Sequence, residues 1–270
     1  MLTNQNAKRF DGDICDDLGR TFPTHGMFAA APSLPQLDAA FDDDSMLYSC
    51  TSVGQRELLQ ILRAYVAFDH AIGYCQGMNF LAANLLMVIG NPEVTFWSLV
   101  QVMKSVKGLF AHGLPLYNLC LDLFGQQCRR YLPTIAGHLE RQKTQLVTFA
   151  GAWFNTLFAN GVVPIPLMHR IWDLFLFYGL PVIFQVALAI LKACEGTLLL
   201  PPNPACSQPA NESSTPTPCL SADAILQREG EDIVVYLSAL PQSLLDNPNA
   251  LLKSALAFTL APEDLTGLPR

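Results

Sequence analysis

The sequence predicts an all-α fold, and three observations carry that expectation. Apolar residues recur at three- and four-residue spacing along most of the chain, helix-stop and helix-start residues fall between the recurring runs, and no alternation of period two is long enough to make a strand. In chain order, Asp13 is expected to cap a short helix with an acidic first turn, anchored by Ile14 and Leu18 as i,i+4 neighbours. Pro23 disfavours helix at Phe22, which leaves Arg20 at the helix end with a mobile side chain. Ser52-Val53-Gly54-Gln55 matches a capping box and opens a helix with Leu58, Ile61, Leu62, Tyr65, Val66 and Phe68 on one face. Met78, Leu81, Ala82, Leu85, Leu86 and Ile89 repeat the pattern until Asn91-Pro92 stops it. Asn91 then caps the next helix, with Pro92 at its first position and Phe96, Val100 and Met103 facing inward. Further helical runs are expected at 115–130, 134–142, 144–158, 164–178, 182–195, 223–239 and 248–258. Two segments interrupt them. Residues 26–50, with Ala29-Ala30-Ala31-Pro32, Pro35 and Asp42-Asp43-Asp44, read as a mobile acidic loop. Residues 201–218, rich in proline, read as a flexible insertion.

Composition excludes several function classes. With 51% hydrophobic and 14% charged residues, a chain of 270 has ample material for a large core. It does not resemble a disordered protein. The net charge of −7 gives no basic footprint for nucleic acid or anionic lipid. Eight cysteines could form an even disulfide set, but no signal peptide is expected and no pair falls at CxxC spacing. Reduced and mostly buried thiols of a cytosolic protein are therefore expected. Two uncharged stretches, 144–168 and 174–191, raise a membrane-embedded reading. The first is broken by Asn155, Asn160, Gly161, Pro164 and Pro166, and Gly179-Leu180-Pro181 makes a turn in the second. Each part is then the length of a buried helix rather than a span of about 20 residues, and a soluble protein is expected.

The common catalytic signatures (P-loop, HExxH, GxSxG, GxGxxG) are absent, and nothing places a histidine beside Cys75 to activate it. Three clusters are polar where the pattern asks for apolar residues. Around Ile14-Cys15-Asp16-Asp17-Leu18-Gly19-Arg20, spacing alone supports no more than a surface pair between Asp17 and Arg20. In Gly73-Tyr74-Cys75-Gln76-Gly77-Met78-Asn79, glutamine precedes a glycine, which allows close backbone approach, and a carboxamide both donates and accepts. Taken by itself this is a helix N-terminal turn whose glutamine satisfies orphan amides. In His169-Arg170-Ile171-Trp172-Asp173, the i,i+3 spacing of Arg170 and Asp173 suggests a structural ion pair, with Trp172 on the opposite side.

In this order the clusters resemble the TBC domain, the module of GTPase-activating proteins for Rab-type small GTPases. Ile14, Asp17 and Arg20 match its I-x-x-D-x-x-R signature, continuing into Thr21 and Pro23. Tyr74, Gln76 and Gly77 match its Y-x-Q-G signature, and Arg170, Trp172 and Asp173 its Arg-x-Trp-Asp element. Trp153-Phe154 and Leu244-Leu245-Asp246-Asn247-Pro248 are also similar to the family. The resemblance implies one two-lobed helical domain over 1–270. Its N-terminal lobe would be 1–140, with both motifs and the loop at 26–50. Its C-terminal lobe would be 141–270, with the proline-rich insertion at 201–218. The family usually has a further helix upstream of the first motif; only a short stretch precedes Ile14, so that first N-terminal helix is expected to be lacking. The stretch from Arg20 to Gln76 is longer than the family's, an excess the acidic loop can absorb.

The resemblance further implies that Arg20 is an arginine finger and Gln76 a glutamine finger, both supplied in trans to a Rab-family GTPase in its GTP-bound state. Asp17 would hold Arg20 in place, with Tyr74 and Gly77 in supporting positions. The chain would then be an activator rather than an enzyme, regulating vesicle-mediated transport. GTP and magnesium would arrive on the partner, so the chain needs no cofactor or metal of its own. It would be cytoplasmic, with peripheral recruitment to endomembranes, no direct membrane insertion and no nucleic-acid partner. The alternative is an inactive scaffold of the same fold that binds a GTP-loaded small GTPase; such family members tend to lack a finger, and this chain has both.

Overall fold

The structure, a computed structural model, describes residues 9–31, 47, 50–199, 230–261 and 265–268. The proline-rich segment at 201–218 and most of the acidic loop, from 32 to 46 together with 48 and 49, lie outside the described residues, as do 223–229 of the run expected at 223–239. Among the described residues every regular element is a helix. In chain order these are α1 (Asp11–Leu18), α2 (Val53–Phe68), α3 (Met78–Ile89), α4 (Pro92–Val106), a single 3-10 turn (Lys107–Leu109), α5 (Pro115–Tyr131), α6 (Pro133–Arg141) and α7 (Val147–Asn155). There follow α8 (Ile165–Tyr178), α9 (Pro181–Ala193), α10 (Glu195–Leu199), α11 (Gly230–Ser238), α12 (Gln242–Leu245) and α13 (Pro248–Leu256). Packing divides the chain into two units. The first comprises Met1–Leu119, Phe154–Gly161 and Leu268–Arg270, and the second Cys120–Trp153 and Val162–Gly267.

In the first unit α2, α3 and α4 pack against one another, and α1 lies against α2 and α3. Leu58, Ile61, Leu62 and Tyr65 of α2, Leu81, Ala82 and Leu86 of α3, and Leu99, Met103 and Val106 of α4 are buried. The two outer ends of the expected apolar faces differ. Phe68 is 54% exposed, and its ring meets Phe96 and Trp97 edge-on at 5.8 and 6.0 Å, while Phe96 is half-buried. A helical period of 3.6 places Phe68, three residues beyond Tyr65, at the margin of the buried face, where α4 supplies only aromatic edges.

The caps follow the sequence with two changes. Asn91 accepts from the Val94 amide at 3.0 Å, and Pro92 opens α4. Ser52 accepts from the Gln55 amide at 3.1 Å, but the Gln55 carboxamide does not complete the reciprocal box. Its oxygen takes the Thr51 amide at 2.7 Å, and its nitrogen donates to the Phe28 carbonyl at 3.3 Å, tying the preceding loop to α2. Asp13 is not the cap of α1. The helix begins at Asp11 after Phe10 with no side-chain cap, and Asp13 is exposed in the first turn. The reason is Asp11, whose buried carboxylate takes both Nε and Nη2 of Arg63 on α2 at 2.8 Å. That two-point contact sets where the helix starts.

In the second unit α9 packs against α8 and α13, and all its residues from Val182 to Leu191 are buried apart from Gln185. Gln185 donates to the Phe258 carbonyl at 2.7 Å, and the Tyr131 hydroxyl to the Thr259 carbonyl at 2.8 Å. Gly179, at φ 78°, makes the turn between α8 and α9. The uncharged stretch 174–191 is therefore two helices, one of them buried on every side, which is what an apolar helix without an amphipathic stripe requires. Among the described residues no helix is long and apolar enough to cross a membrane.

Among the described residues no two cysteines form a disulfide. Cys50, Cys120, Cys128 and Cys194 are buried, Cys15 and Cys75 half-buried, and Cys206 and Cys219 lie outside the described residues. Burial disfavours the thiolate and pushes Cys120, Cys128 and Cys194 up to about 12. Alkylation of the native protein at pH 8 should leave these three unmodified in a peptide map, whereas in denaturant they react. Because their folded values lie above the ordinary 9, the stability they contribute is complete below pH 9 and is lost as pH rises towards 12. Alkaline titration of the unfolding midpoint measures that loss. Arg63→Met, which leaves Asp11 buried without its partner, should cost about 3 kcal/mol, read as a lowered urea midpoint.

Candidate functional site

The first two polar clusters meet in the first unit. Asp17, near the end of α1, is 3% exposed. Its Oδ1 accepts from Arg20 Nη2, and its Oδ2 from the Tyr74 hydroxyl, 57 positions later in the chain. The expected surface pair is thus half internal: the carboxylate is buried, while the Arg20 side chain keeps 51% of its surface in solvent. Burial and the Asp17 carboxylate together hold the Tyr74 phenol far above its ordinary range, with Arg20 pulling weakly the other way. Tyr74 therefore stays protonated and donates to Asp17 at every working pH. The same burial, with Asp17 again a lesser cause, raises the Cys75 thiol, so this cysteine is not an activated nucleophile.

Several backbone features present Arg20. Helix α1 ends at Leu18, and Arg20 and Thr21 follow in a tightening turn, their amides donating to the carbonyls of Asp17 and Leu18 at 3.3 and 3.2 Å. Phe22 is held in the left-handed region at φ 45°. Its ring is fixed by Phe28 at 6.3 Å and Phe80 at 5.8 Å. Packing of this kind is needed to keep a non-glycine residue there. The Thr21 hydroxyl donates to the Asp17 carbonyl at 2.6 Å and accepts from Asn79 Nδ2 at 2.8 Å.

Gln76 is exposed and stands immediately before Gly77, the residue that opens α3. Gly77 has φ 107°, and its amide donates to Asn79 Oδ1 at 3.0 Å. The Gln76 carbonyl accepts from Asn155 Nδ2 at 2.9 Å. A Cβ on Gly77 would stand 2.5 Å from that same nitrogen. Glycine is required twice over, by the dihedral angle and by the approach of Asn155. Asn155 ends α7 and is followed by Leu157 and Phe158, both fully buried and both at positive φ, in the segment that returns to the first unit. Ile14, 0% exposed, anchors α1 beneath the site.

The third cluster lies in the second unit. Trp172 is 3% exposed and meets Phe175 edge-on at 5.7 Å. Arg170 and Asp173 are not buried on α8, and among the described residues no ion pair joins them, contrary to the expected structural pair. A solvent-facing pair at this spacing gains only about 0.2–0.5 kcal/mol, too little to hold two long side chains together. The sequence places Thr21 and Asn79 inside the motifs without revealing a role, and marks Asn155 only as a break in an apolar run. A polar residue beside Trp153-Phe154 in such a run is the one available signal. Among the described residues no group of three or more histidine, cysteine or acidic side chains is placed to hold a metal ion.

The model of the Rab-GTPase-TBC domain matches residues 1–199. Carabin of Mus musculus is 34% identical over 184 residues, covering 65% of this chain and 41% of that protein. Rab GTPase-activating protein tbc-11 of Caenorhabditis elegans is 31% identical over 188 residues, covering 69% of this chain and 18% of that protein. The chain thus spans less than half the length of these relatives. Among solved structures, the Ypt/Rab-GAP domain of Gyp1p superposes with a TM-score of 0.67 at 16% identity, covering 95% of this chain and 76% of that one, a likeness of fold.

Gly77→Ala should displace Asn155 or flatten the turn and cost about 1–3 kcal/mol. The unfolding midpoint reads this, and a Gly77→Ala protein as stable as wild type would mean that Gly77 is not needed in its present conformation.

Proposed function

The chain belongs to the Rab-GTPase-TBC domain family, and on that premise we propose that it is a GTPase-activating module for a Rab-type small GTPase in its GTP-bound state. Arg20 and Gln76 are the residues it lends. The observation that carries this reading is the shared carboxylate of Asp17. It binds the guanidinium of Arg20, half in solvent, and the phenol of Tyr74, two residues before the exposed Gln76.

The chemistry suits these residue types. Hydrolysis of GTP spreads negative charge over the transferring phosphoryl group and the leaving oxygen, so a cation placed there stabilises the transition state more than the ground state. Guanidinium keeps its charge at any working pH and offers donors in a rigid fork, which lysine lacks. Asp17 restricts where Arg20 can swing before the partner arrives. Gln76, a donor and an acceptor without a titration of its own, orients the attacking water and contacts the partner's backbone. GTP and its magnesium ion arrive bound to the GTPase, so the acidic chain needs neither a basic field nor a cofactor. In this role the protein ends the active state of its partner and thereby regulates vesicle-mediated transport, acting from the cytoplasm at the surface of endomembranes.

Single-turnover hydrolysis across a panel of GTP-loaded Rab-type GTPases tests the proposal. The wild-type chain should accelerate at least one of them. Arginine fingers in related Ras-type systems contribute about 10³–10⁵ in rate, so Arg20→Ala should remove most of the acceleration and Arg20→Lys should recover little of it. Gln76→Ala should act in the same direction with the fold intact. Acceleration unchanged in both alanine variants rejects the finger assignment. Binding of a GTP-locked GTPase with no acceleration by the wild-type chain identifies a scaffold of this fold instead.

A further inference from the structure

The Arg20 and Gln76 segments are joined a second time, beneath Asp17, by side chains to which no role has been given. Asn79 is 0% exposed and so is Thr21. The Asn79 carboxamide spends both ends locally: Oδ1 accepts the Gly77 amide at 3.0 Å, and Nδ2 donates to Thr21 Oγ1 at 2.8 Å. The Thr21 hydroxyl uses its only proton on the Asp17 carbonyl at 2.6 Å, which leaves its lone pairs to receive Asn79. The orientation of the carboxamide follows from these partners. A flipped amide would set its NH₂ against the Gly77 N–H and its oxygen against a hydroxyl whose proton is already committed. The chain of bonds therefore runs in one direction, from the peptide after Gln76, through Asn79 and Thr21, to the Asp17 carbonyl in the last turn of α1, just before Arg20.

We infer that Asn79 and Thr21 are positioning residues that set the Gln76 turn in register with the Arg20 segment. The inference rests on the reading of Arg20 and Gln76 given above and deepens it. Neither residue has a surface for a partner, so neither touches the reacting atoms. What they hold is the backbone directly adjoining each exposed side chain: Thr21 follows Arg20, and Gly77 follows Gln76. The Asn155 bond fastens the Gln76 carbonyl to α7, and the hydrogen bond from Tyr74 to Asp17 alone leaves the Gln76 peptide free to shift relative to the Arg20 segment. The second attachment removes that freedom, and displacements of about 1 Å at a reacting group are enough to cost up to about 10²-fold in rate.

The test uses the whole chain with Thr21→Val, which keeps shape and removes the hydroxyl, and Thr21→Ser, which restores it. Thr21→Ala gives a second hydroxyl-free variant should valine fail to fold. The first readout is amide hydrogen exchange and needs no partner. In Thr21→Val the Gly77 amide should exchange at least about tenfold faster while amides of α9 stay as in wild type, and Thr21→Ser should restore protection. The second readout is hydrolysis by a GTP-loaded Rab-type GTPase that the wild-type chain accelerates. The rate at saturating activator should fall about tenfold or more in Thr21→Val, the half-saturating concentration should move less than about threefold, and Thr21→Ser should recover the rate. Gly77 exchange unmoved by loss of the hydroxyl overturns the inference whatever the hydrolysis assays give. A lowered unfolding midpoint with an unchanged saturating rate also overturns it, since the bonds would then be structural only. A wild-type chain that accelerates no GTPase rejects the activator reading instead, and the exchange experiment still decides whether the two segments are coupled.

Discussion

A carboxylate taken out of water must be met by donors, and the position of Asp17 decides which ones are available. It sits buried in the last turn of α1, where the backbone of its own helix can offer the carboxylate nothing. One donor comes from the turn that ends the helix, and the other from a tyrosine beyond α2. The first is a cation with half its surface in solvent, and the second is a neutral hydroxyl shut inside. Burial fixes the protonation of the hydroxyl, which donates to one carboxylate oxygen while the guanidinium donates to the other. The carboxylate thereby restrains the cation. An amide or an alcohol in place of Asp17 would retain part of the geometry and lose the restraint.

The same logic, a polar group met from a distant segment, recurs around the site. Asp11 is met by Arg63 from α2, Thr21 by Asn79 from α3, and the Gln76 carbonyl by Asn155 from α7. Each contact crosses from one element to another, so α1 is tied to its neighbours by oriented bonds as well as by Ile14 and Leu18. Apolar packing by itself is permissive about rotation and register, whereas paired donors and acceptors are not. For a short helix of two turns, which has little intrinsic stability, these attachments define where it begins and where its last residue points.

Much of this fold was legible because helices announce themselves by period and punctuation. The α2 and α4 caps at Ser52 and Asn91, the stop at Asn91-Pro92 and the turn at Gly179-Leu180-Pro181 all depend on neighbours within four residues, and a single sequence contains those neighbours. The start of α1 is not legible locally, because Arg63, the partner of Asp11, is 52 positions away. The short α12 carries too few residues to show a period. At the site, the residue types of both motifs could be read, together with the adjacency of Asp17 to Arg20. The burial of Asp17 could not, because it depends on Tyr74. Nor could the part played by Asn155, whose spacing of 79 positions from Gln76 leaves no local trace. Arg170 and Asp173 differ in the other direction: their helical spacing is legible, but the contact with solvent that makes such a pair too weak to persist is not.

The attachment of Asn155 to the Gln76 carbonyl has a bearing on how the protein is made. Translation proceeds from the amino end, and a domain begins to organise while later codons are still being read. Both signature motifs have left the ribosome when residue 79 has, yet the peptide carrying the carboxamide lacks one of its fastenings until 154–161 emerge and join the first unit. Nascent chains that stop short of that segment would hold both motifs and still present an unfinished turn. The Gln76 turn is therefore completed late in synthesis, with the arrival of Asn155, rather than as each motif appears.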